Sequence, residues 1–151
     1  MTSCRRRGAF TLIEVLIVVI IMAVLAATII PQFSSSTKDA KESSLKFNLH
    51  TMRAQVQRYK FDHNGSAPTA ANFEKQMTLT SDATGATVTT PDATHPFGPY
   101  VASLPANSFS GKKGVTTCTG KPAAEVAGDF GWQYDEATGQ VYPNTTGYFD
   151  L

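Results

Sequence analysis

The chain has 151 residues, which is enough for one domain or for a small domain with an appendage. It carries 13 basic and 12 acidic side chains, and this near-neutral balance gives no support for a nucleic-acid binder. Charged residues make up only 17% of the chain, and the apolar residues are concentrated in one block from Val15 to Ile30. The composition excludes a multi-domain enzyme, a polytopic transporter, a disulfide-stapled toxin and a fully disordered chain. It leaves a small protein with a single anchor.

The apolar block follows a cluster of three arginines, Arg5 to Arg7. By the positive-inside rule, this cluster keeps the N-terminus in the cytoplasm while the following chain is translocated. The run from Phe10 to Ile30 would be about 31 Å long as a helix, which is enough to span the hydrocarbon core. We therefore expect a single membrane-spanning helix.

An ordinary cleaved signal peptide is the first alternative, because small residues suited to cleavage occur within the block: Ala23, Ala26 and Ala27. The length of the run argues against it. So does Glu14, since an acidic group inside an apolar helix is costly in lipid and serves no purpose in a plain secretion signal. A lipoprotein signal is excluded because Cys4 precedes the arginines.

The segment Arg6-Arg7-Gly8-Ala9-Phe10-Thr11-Leu12-Ile13-Glu14-Val15, with an apolar run that ends at Pro31, resembles the N-terminal signal of type IV pilins and type II secretion pseudopilins. The resemblance implies that a prepilin peptidase removes the leader on the cytoplasmic side and retains the apolar segment. It also implies N-methylation of the new first residue.

Two cut sites are compatible with this resemblance. The residue before the cut is usually Gly, which favours Gly8-Ala9. In the family, however, a Glu is fifth and a Pro is often twenty-second in the mature chain, and Glu14 and Pro31 take these positions only if the chain begins at Phe10. We predict cleavage between Ala9 and Phe10, with methylation of Phe10.

The resemblance also implies a role for Glu14 in assembly. In a lone membrane helix its charge would be unpaired, whereas in a helix bundle it would meet the free α-amino group of a neighbouring processed subunit. The alternative is a side chain near the interface that reaches water beside the leader arginines. Pro31 is expected to kink the helix, because proline removes a backbone hydrogen bond and crowds the preceding turn.

A second helical pattern follows the apolar block. Apolar residues recur at spacings of four, three, four and three, which is typical of one face of an amphipathic helix: Leu45, Leu49, Met52, Val56 and Tyr59. Asn64-Gly65 is a helix stop signal. We predict one helix from about Phe10 to His63, roughly 80 Å long, whose second half covers a globular head.

The sequence thus predicts an α+β, pilin-like fold in which the long helix packs against a small antiparallel sheet. Its segments are a leader at 1–9, a transmembrane or filament-core helix at 10–30, an amphipathic continuation at 31–65 and a head at 66–151. Within the head we expect a short helix near 70–77, strands near 87–89 and 115–118, and a hairpin. Alternating Phe130, Trp132 and Tyr134 form its first strand, and Gln140 to Tyr142 form its second.

Two head segments, Gly98 to Pro105 and Trp132 to Gly139, resemble the major, G-type secretion pseudopilins. Those proteins often bind calcium near the C-terminus, so Asp129 and Asp135 are weak calcium candidates here. Calcium needs six to eight oxygens, and the acidic residues are scattered without a dense cluster. We therefore expect no cofactor and interpret Asp135 and Glu136 as turn residues.

Other reactive side chains do not form a catalytic pattern. The three histidines lack a metal-ligand spacing and are expected to be surface or hydrogen-bonded residues: His50, His63 and His95. Loss of the leader would leave Cys118 as the single cysteine, which we expect to be buried in a strand. No Gly-x-Ser-x-Gly or phosphate-binding glycine loop occurs. We interpret Trp132 and Tyr134 as core residues.

Together these patterns predict a non-enzymatic filament subunit anchored in the bacterial inner membrane, with its N-terminus cytoplasmic and its head periplasmic. The partners that the resemblance implies are further copies of the chain, minor pilins or pseudopilins, the prepilin peptidase and an inner-membrane assembly platform. The alternative is a signal-anchored or secreted periplasmic binding module. A filament subunit would need Glu14 for assembly, whereas a binding module would tolerate its replacement with alanine.

Overall fold

The computed structural model describes residues 10–151. The chain forms two compact units, and the boundary between them in the sequence falls between Ala40 and Lys41. Helix α1, Leu12–Asp62, contributes to both units and confirms the predicted long helix. In the first unit, every described residue up to Ala40 is exposed.

In the second unit, α1 buries the stripe that its periodicity predicted. The five buried residues of the helix are the ones that recur at spacings of four and three: Leu45, Leu49, Met52, Val56 and Tyr59. The helix ends where the chain turns left-handed, with φ values of 53° at Asn64 and 87° at Gly65. The Gly65 amide donates to the Lys60 carbonyl at 2.7 Å, as in a glycine-type helix C-cap.

The three-stranded sheet lies in the second unit and has the order β3-β4-β5. Its strands are β3, Gly114–Thr117, β4, Phe130–Asp135, and β5, Gln140–Pro143. The predicted hairpin is confirmed, because β4 and β5 pair antiparallel, with Tyr134 opposite Val141. Gly139 has a φ of 75° and its amide bonds to the Asp135 carbonyl at 2.8 Å, which closes the turn.

The sheet differs from the prediction in one respect. Strand β3 pairs parallel with β4, with Val115 opposite Trp132, so the sheet is mixed instead of wholly antiparallel. The physical reason is the connection. Residues 118–129 form an irregular crossover that returns the chain to the starting end of β3, which a tight hairpin turn cannot do.

Strand β4 is the centre of the core, and both of its faces are covered. Trp132 and Tyr134 are fully buried with the α1 stripe in one apolar cluster. On the other face, the Gln133 side chain donates to the Ala124 carbonyl at 2.8 Å and to Asn144 Oδ1 at 2.9 Å. The crossover loop is therefore held against the sheet by buried amide hydrogen bonds, which are costly to remove.

The remaining elements are short. A single 3₁₀ turn, Ala70–Asn72, leads into α2, Phe73–Thr78, which confirms the predicted short helix. Strands β1, Thr80–Ser81, and β2, Thr87–Val88, form a separate antiparallel pair. Phe73 of α2 packs its ring against Tyr134 with centroids 4.5 Å apart, which joins α2 to the core.

Candidate assembly site

The apolar part of α1 has no covering partner within the described chain. Its large side chains up to Ile30 are all exposed, from 84% for Leu12 to 45% for Ile29. Monomeric soluble proteins rarely leave so large an apolar patch in water, because burial of each such side chain stabilises the protein by about 1.5–3 kcal/mol. By length and composition this helix is able to cross a membrane. The surface therefore requires lipid or another protein as its partner.

The N-terminal turn of α1 is closed by a reciprocal pair of polar side chains. The backbone amide of Thr11 donates to Glu14 Oε2 at 2.8 Å, and the Thr11 hydroxyl donates to the same oxygen at 2.6 Å. The Glu14 amide donates to Thr11 Oγ1 at 3.3 Å. This is a capping box, in which Thr11 and Glu14 satisfy backbone amides that the helix leaves free.

The capping box leaves part of the carboxylate available. Both bonds to the carboxylate use Oε2, and Glu14 Oε1 accepts no hydrogen bond from residues 10–151. Glu14 is also exposed. A cationic donor can therefore approach Oε1 while the cap stays intact.

Two other residues interrupt the apolar surface. Thr28 donates its hydroxyl to the carbonyls of Val24 and Leu25, at 3.2 and 2.9 Å, so its polar group is satisfied within the helix. Pro31 lies inside α1, which continues past it. The proline lacks an amide hydrogen, so one backbone bond is absent there. The predicted kink at Pro31 stays a prediction.

The two weak calcium candidates have different settings. Asp135 is buried, and its carboxylate accepts bonds from the amides of Gly120 and Ala137 and from the Thr138 hydroxyl, at 3.2, 3.1 and 2.7 Å. These bonds, that from Thr138 first, lower the pKa of Asp135. Asp129 is exposed at the end of the crossover loop. Asp135 thus orders the hairpin turn, and the absence of a bound cofactor stays a prediction.

The histidines lie in three different settings. His50 is exposed. His63 is buried and satisfied, with Nδ1 2.8 Å from the Tyr59 carbonyl and Nε2 3.1 Å from Ser81 Oγ. His95 pairs with Asp92, at 2.7 Å between Nδ1 and Oδ1. This pairing and the hydrogen bonds from Thr94 hold the pKa of Asp92 at about 2, below its ordinary value of 3.8.

Cys118 is less buried than predicted, whereas Trp132 and Tyr134 lie in the core as predicted. Cys118 follows the end of β3 and is half-buried instead of fully buried, because the strand lies at the edge of the sheet. Burial first, and then Asp135, raise the pKa of its thiol. Trp132 and Tyr134 are both 0% exposed, so they are core residues as expected.

The sequence analysis did not single out three residues whose side chains hold parts of the structure together: Thr11, Arg53 and Asn107. The Thr-x-x-Glu spacing of Thr11 and Glu14 is a known capping signature and could have been found. Arg53 lies off the apolar stripe, yet it donates to the carbonyls of Val141 and Leu151 at 3.0 and 2.7 Å. Asn107 is fully buried and joins its own loop to β4. No local pattern indicates these last two contacts, since they join distant segments.

A polar groove of about 310 Å³ also lies in the second unit. Its lining comes from α1 and from the loop before Val101: Gln55, Arg58, Asp62, Pro96, Phe97, Gly98, Pro99 and Tyr100. The Tyr100 hydroxyl donates to Asp62 Oδ2 at 3.0 Å, and Arg58 pairs with the same oxygen at 3.1 Å. Desolvation, followed by this bond to Asp62, raises the pKa of Tyr100. The groove's central charges thus neutralise each other.

Comparison with known proteins matches the N-terminal segment to one family and about half of the chain to several curated proteins. Residues 4–30 match the family described as the prokaryotic N-terminal methylation motif. The type II secretion system core protein G of Pseudomonas aeruginosa is 34% identical over 70 residues, which cover 46% of this chain and 49% of that protein. The chain thus spans about half the length of this relative.

Competence proteins are similar over a comparable fraction of the chain. The ComG operon protein 3 homolog of Bacillus licheniformis is 28% identical over 67 residues, 44% of this chain and 69% of that protein. Competence protein ComGC of Bacillus subtilis is 27% identical over 74 residues, 49% of this chain and 76% of that protein. No solved structure gives a significant match.

The resemblance to pilins and G-type pseudopilins is confirmed, and the methylation motif includes the predicted processing residues Gly8, Ala9 and Phe10. Gly8 and Ala9 lie outside the described residues.

Proposed function

We propose that this chain is a structural subunit of a type II secretion pseudopilus or of a type IV pilus-like filament. The carrying observation is the apolar surface of α1. It is exposed at every described residue up to Ala40, and its apolar run to Ile30 lies within the matched methylation motif, residues 4–30. The relatives whose names state a role belong to type II secretion and competence. The work of such a subunit is mechanical, and we assign it no active site.

The order of events begins with processing. A prepilin peptidase removes residues 1–9, and Phe10 becomes the methylated first residue. The register of Glu14 and Pro31 supports this cut over the one after Gly8, because they are the fifth and twenty-second residues when the chain begins at Phe10. Thr11 caps a helix that begins at Leu12, so the new amine lies close to the first helical turn.

Assembly then pairs Glu14 with the amine of a neighbouring subunit. An acidic side chain at the centre of a membrane helix costs about 2.5–3.5 kcal/mol. Glu14 lies in the first turn of α1, so this value is an upper bound for it, and pairing with a cation offsets the cost. The unused oxygen Oε1 of Glu14 is the acceptor, and Oε2 keeps its bonds to Thr11. Because the amine exists only after cleavage, unprocessed subunits lack the partner charge.

Orientation and partners follow from the same segment. The arginines at 5–7 keep the N-terminus in the cytoplasm, and the head, residues 66–151, is carried to the periplasm. There the subunit joins further copies of itself and minor pilins or pseudopilins. It is delivered by an inner-membrane assembly platform and driven by a cytoplasmic ATPase.

The test separates the charge of Glu14 from its capping role. Glu14→Gln retains an acceptor for Thr11 but removes the charge, whereas Glu14→Ala removes both. Both variants are expected to lose filaments from the sheared surface or periplasmic fraction. Asp39→Asn, an exposed acid outside the apolar run, serves as the matched control and should assemble normally.

Mass spectrometry of the N-terminal peptide accompanies the assembly assay. A chain that begins at methylated Phe10 is the expected result. Normal filaments from Glu14→Ala, or cleavage after Ala26 or Ala27, would refute the filament function. Either result would favour the anchored or secreted binding module.

A further inference from the structure

The sequence contains two Asn-x-Ser/Thr triplets that the proposed function does not use. The first is Asn-Gly-Ser at residues 64–66, just after helix α1, and the second is Asn-Thr-Thr at residues 144–146, directly after strand β5. This motif is the acceptor for N-linked glycans in exported proteins when its middle residue is not proline. The motif alone does not distinguish the two triplets, whereas their surroundings in the fold do.

The first triplet is open to solvent. Asn64, Gly65 and Ser66 are all exposed. Within residues 10–151, neither the side-chain amide of Asn64 nor the hydroxyl of Ser66 makes a hydrogen bond. A Cβ atom added to Gly65 would meet no other atom within 4 Å, so the space beside the triplet is empty. The nitrogen that would accept a sugar and the hydroxyl that completes the motif are therefore both accessible.

The second triplet is closed by buried hydrogen bonds. Asn144 is 6% exposed, and its Nδ2 donates to the carbonyls of Val126 and Phe130, both at 2.9 Å. Its Oδ1 accepts from the Val126 amide at 2.8 Å and from Gln133 Nε2 at 2.9 Å. A side-chain amide has two N–H hydrogens, and a bond to a sugar replaces one of them. Glycosylation of Asn144 would therefore break a buried hydrogen bond and place a sugar inside the head.

The turn at the first triplet is held by backbone atoms. The φ values of Asn64 and Gly65 are 53° and 87°, and the Gly65 amide donates to the Lys60 carbonyl at 2.7 Å. The Ser66 amide donates to the His63 carbonyl at 3.0 Å. Because no side chain of the triplet takes part in these bonds, a sugar on the Asn64 amide leaves the end of α1 intact.

We propose that Asn64 is the acceptor of an N-linked glycan. The donor is an oligosaccharide joined through a diphosphate to a membrane polyprenyl lipid, and a periplasmic transferase is the catalyst. Asn64 Nδ2 forms a bond to the anomeric carbon of the sugar, while the bond from that carbon to the diphosphate oxygen breaks. The diphosphate leaves with the bonding electron pair and takes up the proton that Nδ2 loses. This inference rests on the proposed function in one respect, the periplasmic location of the second unit.

The test uses the full-length chain purified from the membrane of its native cells. Intact-mass and peptide mass spectrometry, with fragmentation that retains sugars, measures the glycan on each asparagine. Two matched variants each destroy one triplet without changing an asparagine: Ser66→Ala and Thr146→Ala. Both positions are exposed, so neither variant disturbs the core. Ser66→Ala also leaves both left-handed residues of the helix cap in place.

The expected result is an oligosaccharide on Asn64 in the natural chain and in Thr146→Ala, and its loss in Ser66→Ala. Ser66→Thr retains the motif and should retain the glycan. An unmodified Asn64 in the natural chain would overturn the inference. A glycan that survives Ser66→Ala, or one attached instead to Asn144, to a serine or to a threonine, would overturn it as well.

Protease treatment of intact spheroplasts separates this inference from the proposed function. If added protease digests the second unit while Asn64 is unmodified, only the glycan is refuted and the filament subunit stands. If the second unit is protected from the protease, its periplasmic location is wrong, and the proposed function fails together with the inference.

Discussion

Replacing Asn107 with alanine should destabilise the head strongly, because this one side chain joins three segments. Its Nδ2 donates to the Gly131 carbonyl at 2.8 Å and to Thr145 Oγ1 at 2.9 Å, and its Oδ1 accepts from the Phe109 amide at 2.9 Å. Three such bonds contribute roughly 0.5–1.5 kcal/mol each. We therefore expect a loss of about 3 kcal/mol in the free energy of unfolding. For the unit from Lys41 to Leu151, this corresponds to about 10–15 °C in melting temperature.

The single tryptophan makes the measurement specific to the head. Trp132 is fully buried, so its fluorescence during thermal or urea unfolding of the full chain in detergent reports the head core. Asn107→Asp keeps the size of the side chain but replaces the donor to the Gly131 carbonyl with an acceptor oxygen. It should lower the free energy of unfolding by at least as much as Asn107→Ala. Asn72→Ala is the matched control, because that exposed side chain makes one contact at 3.4 Å. An Asn107→Ala midpoint equal to that of the control would refute the argument.

Three further predictions concern titration and metal. The pKa of Asp92 is about 2 against an ordinary 3.8, so its stabilisation exists above pH 3.8 and is lost as the pH falls towards 2. The urea midpoint of the natural chain should therefore fall more between pH 3.8 and pH 2 than the midpoint of Asp92→Asn. Equal falls in the two midpoints would contradict this role of Asp92. Millimolar calcium should leave the melting temperature unchanged, because three hydrogen bonds occupy the Asp135 carboxylate; a rise that Asp129→Asn abolishes would establish a calcium site. Cys118 should react slowly with iodoacetamide at neutral pH and faster as the pH rises, because burial raises its pKa; fast neutral alkylation would be inconsistent with a half-buried thiol.

Local sequence patterns were sufficient to predict the helices and turns whose formation depends on residues close together in the chain. The stripe from Leu45 to Tyr59 follows the helical period, and every one of its five members is buried. The hairpin of β4 and β5 follows from alternating aromatics and a glycine that adopts a positive φ. The α1 terminus follows from Asn64 and Gly65, since both adopt the left-handed conformation that ends a helix.

The features that escaped prediction depend on contacts between distant segments. The parallel pairing of β3 with β4 has no local signature, because the crossover before Phe130 is irregular. Asn107 and Arg53 look like ordinary polar residues, and only the folded chain brings their partners to them. At the candidate site, the family signature indicated Glu14. The bonds that Glu14 makes to Thr11 required the structure, although the spacing of the two residues contained the signal.

The separation of the core residues along the chain has a consequence for synthesis. The Arg53 side chain bonds to Val141 across 88 positions, and Trp132 follows the α1 stripe by more than 70 residues. Translation proceeds at roughly 5–20 residues per second, so the stripe remains without its partner strand for about 4–15 s. The β4–β5 hairpin itself forms in microseconds once it is complete. Arrival of the C-terminal segment therefore sets the earliest time at which the head can fold. During this interval, incomplete chains are the ones that proteases and holding chaperones will recognise.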